Sequence, residues 1–334
     1  MNPDPSAPPF TDVTVFYGTN RARADVGVWY GVERGEMRFG RCLVTVPTDR
    51  RIGTIPRPSI WTFYRENPER HYILANVEES AGKDAFSRGL REYIGNCAVR
   101  QALVFVHGFN VTFADAVYRT AQIAADLNFR GAPILFTWPS KGSLNPLGYT
   151  HDETQARWAL PDLRAFLELI AEQSGAEAIH LLAHSMGNRA LTDALCQIAA
   201  STARRSRAPF HELMLTAPDI DADTFVREIL PAILPTSARI TLYASSNDRA
   251  LAFSKTVHGY PRAGESGDGL VLLDGVDTID VSSVDTNFVG HFYYGDNRSV
   301  LADLFNLMQG QAAERRFGLR ARQKNARQYW VFQP

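Results

Sequence analysis

The sequence predicts an α/β protein with a mostly parallel central sheet and helices on both faces. From about residue 101 to residue 309, short apolar runs alternate with segments of helical spacing, a pattern typical of parallel sheets covered by helices. The run at 102–106 is apolar throughout, as expected for a strand buried on both faces. The chain has 334 residues, 45% of them apolar and 21% charged, which supplies ample material for a core.

The elements of this alternating region are read from the same patterns. The predicted strands are 102–106, 133–138, 178–182, 212–216, 239–243 and 276–281. The predicted helices are 112–127, about 152–173, 188–195, 224–233 and 298–308. Pro161 is expected to kink or divide the second helix, because proline lacks the N–H that a helix interior uses.

The first 100 residues have a different pattern. Apolar stretches at 13–17, 41–46 and 72–77 are separated by turns that contain glycine and proline. We expect them to form an N-terminal antiparallel β extension at one edge of the same sheet, because no linker separates them from the rest. One domain is therefore predicted over 11–310, preceded by a proline-rich flexible arm at 1–10 that does not have the pattern of a signal peptide.

The C-terminal segment, 311–334, is basic and ends in aromatic residues. It carries six basic side chains and one acidic side chain. We interpret it as a solvated tail whose aromatic end, 329–332, docks on the body. A nucleic-acid-binding arm is the alternative.

Composition narrows the class of protein. The formal net charge of −1 predicts no field that would recruit nucleic acid or an anionic membrane. No apolar run approaches the roughly 20 residues that a membrane span needs. Three widely spaced cysteines, Cys42, Cys97 and Cys196, favour free thiols in a reducing compartment over a disulfide framework. We therefore expect a cytoplasmic protein.

Ser185 is the leading candidate for a catalytic residue. It is the centre of Ala183-His184-Ser185-Met186-Gly187, between a predicted strand and a predicted helix. A serine on such a sharp turn presents its hydroxyl above the sheet, and small neighbours let strand and helix approach closely. The alternative is a structural serine that caps the helix N-terminus.

A serine hydroxyl needs a base within hydrogen-bond distance, and the base needs an orienting carboxylate. Asp248 follows the predicted strand 239–243, and His291 follows the strand 276–281. Each position is at the carboxyl end of a strand and comes after the serine. Asp219, which follows the strand 212–216, is the alternative acid. His258 is the alternative base, although it precedes the last strand.

Acyl transfer also needs two N–H donors for the developing oxyanion. We predict the backbone N–H of Met186, which follows the serine, and that of Phe109, in the loop after the strand 102–106. Gly108 allows this loop to turn tightly, and His107 is interpreted as a brace for it.

The substrate pocket is predicted from residues that follow the strand 133–138. Trp138, Ser140, Leu144 and Tyr149 are the candidates. The alternative is that Trp138 is core and 140–149 a surface loop. His180 and His184 are four residues apart, but they span a strand and a turn and so share no helix face. We predict no metal and no cofactor.

These motifs together resemble the α/β-hydrolase superfamily. More narrowly, they resemble a bacterial family that is catalogued as a domain of unknown function and is esterase- and lipase-like. The matching segments are 16–21, 106–110, 138–140, 183–189, 217–221 and 246–248. Ala183 stands where the usual elbow has glycine, and members of the narrower family commonly carry alanine there. The resemblance implies the α/β-hydrolase fold and a serine hydrolase that needs no cofactor.

The predicted function is cleavage of a small-molecule carboxylic ester through an acyl-enzyme on Ser185, His291 and Asp248. Amide or peptide hydrolysis, or acyl transfer to another alcohol, would use the same three residues. A catalytically silent binding protein on the same fold is the non-enzymatic alternative.

Overall fold

The computed structural model describes residues 8–24, 28–58, 65–141, 146–202, 208–284 and 293–333. The strands are β1 Phe10–Arg23, β2 Tyr30–Pro47, β3 Ile73–Glu79, β4 Gln101–Val106, β5 Ala132–Thr137, β6 Ala178–His184, β7 Phe210–Thr216, β8 Ser237–Ala244, β9 Val276–Asp280, β10 Leu319–Lys324 and β11 Arg327–Phe332.

The helices are α1 Lys83–Asn96, α2 Phe113–Asp126, α3 Pro146–Trp158, α4 Leu160–Gln173, α5 Gly187–Thr202, α6 Ala222–Thr224, α7 Leu230–Ile233, α8 Arg249–His258, α9 Tyr293–Asp296 and α10 Arg298–Met308. A π-helical turn, Phe225–Ile229, joins α6 to α7, and short 3₁₀ turns occupy Leu234–Thr236, Gly267–Gly269 and Ala313–Arg315.

All these strands belong to one sheet, in the order β10-β11-β9-β8-β7-β6-β4-β5-β1-β2-β3. The strands from β11 to β1 run parallel to their neighbours. Antiparallel pairs lie only at the two ends of this sheet, β1–β2–β3 at one and β10–β11 at the other. The predicted parallel sheet and its N-terminal antiparallel extension are confirmed.

The core lies on both faces of the sheet, which is why the strand runs are continuously apolar. Along β4, Val104 and Val106 contribute to one buried cluster, whereas Leu103 and Phe105 contribute to the other. Helix α4 packs on the first face and α2 on the second. Helices therefore cover both sides, as predicted.

Pro161 divides the predicted helix 152–173, as expected. Helix α3 ends at Trp158, and α4 begins at Leu160 with the proline in its first turn. Proline is tolerated in a first turn because the N–H that it lacks has no helical partner there.

The C-terminal segment has the docked aromatic end predicted for 329–332, but it is a β-hairpin of the sheet where a solvated tail was expected. Strands β10 and β11 form a hairpin, and β11 pairs in parallel with β9. Trp330 and Phe332 are two residues apart and therefore share one strand face, on which both are buried. The guanidinium of Arg316 is also buried, within 3.2 Å of the carboxylates of Asp277 and Asp303.

In the described ranges, no helix is long and apolar enough to cross a bilayer.

Candidate active site

Ser185 lies in a sharp turn between β6 and α5, with a left-handed φ of 52°. A non-glycine residue in this region is strained and must be held by its surroundings. The Ser185 N–H donates to the carbonyl of Thr216 on β7 over 3.0 Å. The Asn188 side-chain amide donates to the carbonyls of both Ser185 and Thr216. These bonds fix the turn against the neighbouring strand.

Two glycines let the loop after β4 approach this turn. A Cβ atom on Gly187 would lie 2.3 Å from the carbonyl oxygen of His107. A Cβ atom on Gly108 would lie 2.9 Å from Cβ of Ser185 and 2.9 Å from the carbonyl oxygen of His184. Any larger residue would force the loop and the turn apart.

The N–H groups of Phe109 and Met186 donate no hydrogen bond to another residue in the described part of the chain. Most buried N–H groups in proteins are paired, and Met186 is fully buried. The next two N–H groups of the loop are occupied: Asn110 donates to Asp152, and Val111 donates to Ser140. The two predicted oxyanion donors, the N–H groups of Phe109 and Met186, thus have no acceptor among the described residues.

His107 braces the loop. Its Nδ1 lies 2.8 Å from the carbonyl of Gly108, and its Nε2 lies 2.9 Å from Oγ1 of Thr137. Burial lowers the pKa of His107 to about 3, and the nearby Arg21 adds to that shift. The ring is therefore neutral and engaged by the scaffold at both nitrogens.

Two of the predicted pocket residues face the scaffold. Trp138 is fully buried, stacks on the His107 ring with centroids 5.0 Å apart, and donates from Nε1 to the carbonyl of His107. Ser140 is fully buried and donates to Asp152. The ring of Tyr149 packs against that of Phe109, with centroids 5.5 Å apart, and its hydroxyl donates to Asp219. Leu144 lies outside the described residues.

Asp219, the alternative acid, is the centre of a buried polar network. Its Oδ1 accepts from Ser254 and from Arg262 Nε, and its Oδ2 accepts from the Tyr149 hydroxyl and lies 3.2 Å from Arg189 Nη2. Burial by itself would raise the pKa of Asp219, but the two guanidinium groups outweigh it and hold the pKa below its usual range. Both oxygens are therefore occupied.

Asp248 is buried at the N-terminus of α8, after β8. Its Oδ1 accepts from the N–H groups of Ala250 and Leu251, each over 3.0 Å. His291, the predicted base, lies outside the described residues. His258, the alternative base, has Nδ1 2.8 Å from the carbonyl of Ser254 and Nε2 3.6 Å from Glu153.

The remaining histidines and the cysteines are the other candidates for metal ligands or disulfide partners. In the described ranges, no three His, Cys, Asp or Glu side chains come together in a way that could hold a metal ion. The ring of His184 stacks on Tyr294, whereas that of His180 packs against His211. Cys42, Cys97 and Cys196 form no disulfide.

Sequence reasoning missed Asn188 and the two arginines that hold Asp219. A signal for Asn188 existed, because a short amide three residues after the serine can hydrogen-bond back to the turn. Arg189 and Arg262 gave no comparable signal, because their role depends on segments that are distant in sequence.

Comparison with known proteins identifies the family. Residues 82–308 match the family described as "Alpha/beta hydrolase of unknown function (DUF900)". This match spans more than half of the chain, so the protein belongs to that family of α/β hydrolases. No curated protein matches the chain in sequence.

Solved structures show weaker likenesses. A cold-adapted esterase from an Arctic intertidal metagenomic library, in a PEG-bound complex, has 12% identity and a TM-score of 0.36, over 89% of this chain and 98% of its own. An uncharacterised protein from Capnocytophaga ochracea DSM 7271 has 8% identity and a TM-score of 0.33, over 88% and 63%. Brefeldin A esterase, a bacterial homologue of human hormone-sensitive lipase, has 11% identity and a TM-score of 0.29, over 93% and 68%. The fold assignment rests on the family match and on the sheet topology, not on these scores.

Proposed function

We propose that the protein is a serine hydrolase that cleaves carboxylic esters of small molecules through an acyl-enzyme. Ser185 is the nucleophile, His291 the general base and Asp248 the carboxylate that orients it. The observation that carries the proposal is a serine held in a left-handed turn, together with the N–H groups of Phe109 and Met186, which donate to no described residue. Open donors at this place suit an oxygen that becomes negatively charged during reaction.

The proposed reaction has two steps, acylation and deacylation of Ser185. Ser185 Oγ bonds to the carbonyl carbon while His291 takes its proton, and the N–H groups of Phe109 and Met186 stabilise the oxyanion. The bond to the alkoxide then breaks, and the imidazolium returns the proton to the leaving alcohol. Water next attacks the acyl-enzyme by the same proton path, which releases the acid and the free serine.

The choice of Asp248 over Asp219 rests on the occupied oxygens of Asp219 and on the position of Asp248 after β8. Four donors surround the two oxygens of Asp219, so an imidazole would have to displace one of them. Asp248 is held in place by two N–H groups at the start of α8, which both donate to its Oδ1. Asp248 also follows β8, the position that this fold commonly uses for the acid.

A fluorophosphonate label tests the nucleophile. We expect about one label per chain, on the peptide that contains Ser185, and a kcat lowered by about three to six orders of magnitude in Ser185→Ala. Ser201→Ala, at the far end of the same helix, is the matched control and should keep wild-type activity and labelling. A label on another serine of active enzyme would overturn the assignment.

A further inference from the structure

A cavity of 210 Å³ adjoins the loop that packs against the Ser185 turn. Gly108 lines the cavity, and a Cβ atom there would lie 2.9 Å from Cβ of the serine. The remaining walls come from the loop after β4, helix α2, the segment around Ile55 and Tyr294. A group held in this cavity would therefore contact Gly108 and Tyr294, both of which pack against the turn that carries Ser185.

The volume limits what the cavity can hold. A buried cavity of about 150 Å³ binds benzene, so 210 Å³ has room for an acyl group of about six to eight heavy atoms. Ligand sites for larger molecules commonly begin at about 300 Å³. The cavity thus suits short acyl groups rather than long fatty chains.

The lining combines apolar side chains with ion-paired ones and is close to neutral in charge. Ile55, Phe105, Val111 and Ala116 supply apolar surface. The two arginines of the lining are each ion-paired: Arg57 lies 2.5 Å from Asp115, and Arg119 lies 2.7 Å from Asp296. Neither guanidinium is left without a counter-charge, so the cavity favours a neutral group over a carboxylate.

Tyr294 supplies the distinctive polar group. It is 1% exposed, and its ring stacks on that of His184 with centroids 4.4 Å apart. In the described part of the chain, its hydroxyl makes no hydrogen bond, although buried tyrosine hydroxyls usually find a partner. Burial raises the pKa of Tyr294 well above its ordinary value, so the hydroxyl keeps its proton. The cavity lining therefore includes a neutral hydrogen-bond donor that has no acceptor among the described residues.

We propose that this cavity is the acyl subsite, and that it selects short acyl groups with a neutral oxygen acceptor, such as an ether or a ketone, bound by the Tyr294 hydroxyl. The proposal rests on the proposed function, because it uses Ser185 as the nucleophile. It adds the substrate class and a specificity-determining residue.

The first test uses pairs of p-nitrophenyl esters in which one methylene of an alkanoyl chain is replaced by an ether oxygen, in chains of three to eight heavy atoms. At the best chain length, we expect wild type to favour the ether by about three- to tenfold in kcat/KM, the size of one neutral hydrogen bond. Tyr294→Phe should abolish this preference, because it removes only the hydroxyl. Tyr72→Phe, a buried tyrosine that bonds Arg50 instead, should retain it.

The second test changes the size of the cavity. Ala116→Val adds two carbons to a lining residue and should lower kcat/KM for the longest accepted chain by at least about tenfold. The acetate ester should change by less than about threefold. Ala125→Val, on the same helix but not part of the lining, should leave the chain-length profile unchanged.

The outcomes separate this proposal from the function on which it rests. If wild type cleaves esters with Ser185 but neither substitution changes selectivity, the cavity is not the acyl subsite and the hydrolase proposal survives. If no ester is cleaved, rates of Ser185 labelling by p-nitrophenyl phosphonates that carry the same chains give the same comparison without turnover. Selective labelling would then support the subsite, and uniform labelling would overturn it. If nothing labels Ser185, both proposals fail.

Discussion

Glu212 and Asp219 are two buried carboxylates near opposite ends of β7, and their surroundings differ sharply. Each is 1% exposed. Both oxygens of Asp219 have hydrogen-bond or ion-pair partners. Neither oxygen of Glu212 accepts a well-directed hydrogen bond from a described residue, although His211 Nδ1 lies 3.1 Å and Arg239 Nη1 lies 3.9 Å from Oε1.

The pKa values of the two groups differ accordingly. Burial raises the pKa of Glu212 to about 7, and Arg239 and Arg316 offset only part of that effect. Burial acts on Asp219 in the same direction, but the adjacent arginines reverse it. Burial disfavours both charges, so the number and distance of donors decide which carboxylate stays ionised. The end of β7 beside Ser185 holds a fixed charge, and the other end holds a carboxyl that titrates near neutral pH.

From this contrast we infer that Asp219 supports the structure of the site and does not orient the base. Replacing Asp248 and Asp219 by asparagine, one at a time, tests that inference. The largest effect is expected for Asp248→Asn. Asparagine keeps the shape but favours the wrong imidazole tautomer, so kcat should fall by up to about four orders of magnitude. Turnover of one p-nitrophenyl ester, with circular dichroism to check folding, measures it. Asp219→Asn should change kcat by about tenfold or less. If Asp219→Asn is the inactive variant, the acid follows β7 and the contrast fails.

The next largest effect is on stability. Asp219→Asn leaves the buried Arg262 without its ion-pair partner, although Arg189 keeps Glu153, so the free energy of unfolding should fall by about 3 to 5 kcal/mol. Urea denaturation measures it. Asp221→Asn is the matched control, because Asp221 caps the exposed start of α6 and asparagine caps nearly as well. Equal stability of the two variants would show that the network around Asp219 contributes little.

The sequence predicts elements whose cause is local. Neighbouring residue types predict the apolar run of β4, the break at Pro161 and the sharp turn at Ser185. The burial of β4 on both faces and the helix boundary at Pro161 are confirmed. The network around Asp219 was not predictable in this way, because its donors come from four separate segments. Which residues pair in such a network depends on how the fold brings distant segments together.

The C-terminal hairpin shows the same limit. The aromatic run 329–332 indicates a docked end, and Trp330 and Phe332 are buried, but the basic residues gave no sign that the segment forms two strands, one of which pairs with β9. The burial of Arg316 depends on Asp277 and Asp303, which are distant in sequence.

The roles of Ser185, Asp248 and the two N–H donors stay predictions from sequence that the geometry supports. The roles of His291 and Leu144 stay predictions on residues outside those described.

The smallest effect, and the sharpest test of the contrast, is the pH dependence of stability at Glu212. Its pKa is about 7 in the folded protein and 4.5 in the reference state, so the folded state binds more protons between these values. Stabilisation from Glu212 is therefore complete below about pH 4.5 and is lost as pH rises through about 7. We expect wild type to lose up to about 3 kcal/mol relative to Glu212→Gln across this range. Burial lowers the pKa of His107 and of His180 to about 3. These two histidines therefore make the folded protein more stable as the pH rises, and this gain is complete by about pH 6.5.

The window from pH 6.5 to 8 consequently isolates the upper part of the Glu212 titration. Urea denaturation of wild type and Glu212→Gln at half-unit steps should give curves that separate as pH rises, with the variant the more stable at pH 8. Glu177→Gln, at an exposed carboxylate near the same edge of the sheet, should run parallel to wild type. If the Glu212→Gln curve is parallel as well, Glu212 is already ionised when folded. Its charge would then be as well compensated as that of Asp219, and the difference between the two ends of β7 would be one of geometry without a difference in protonation.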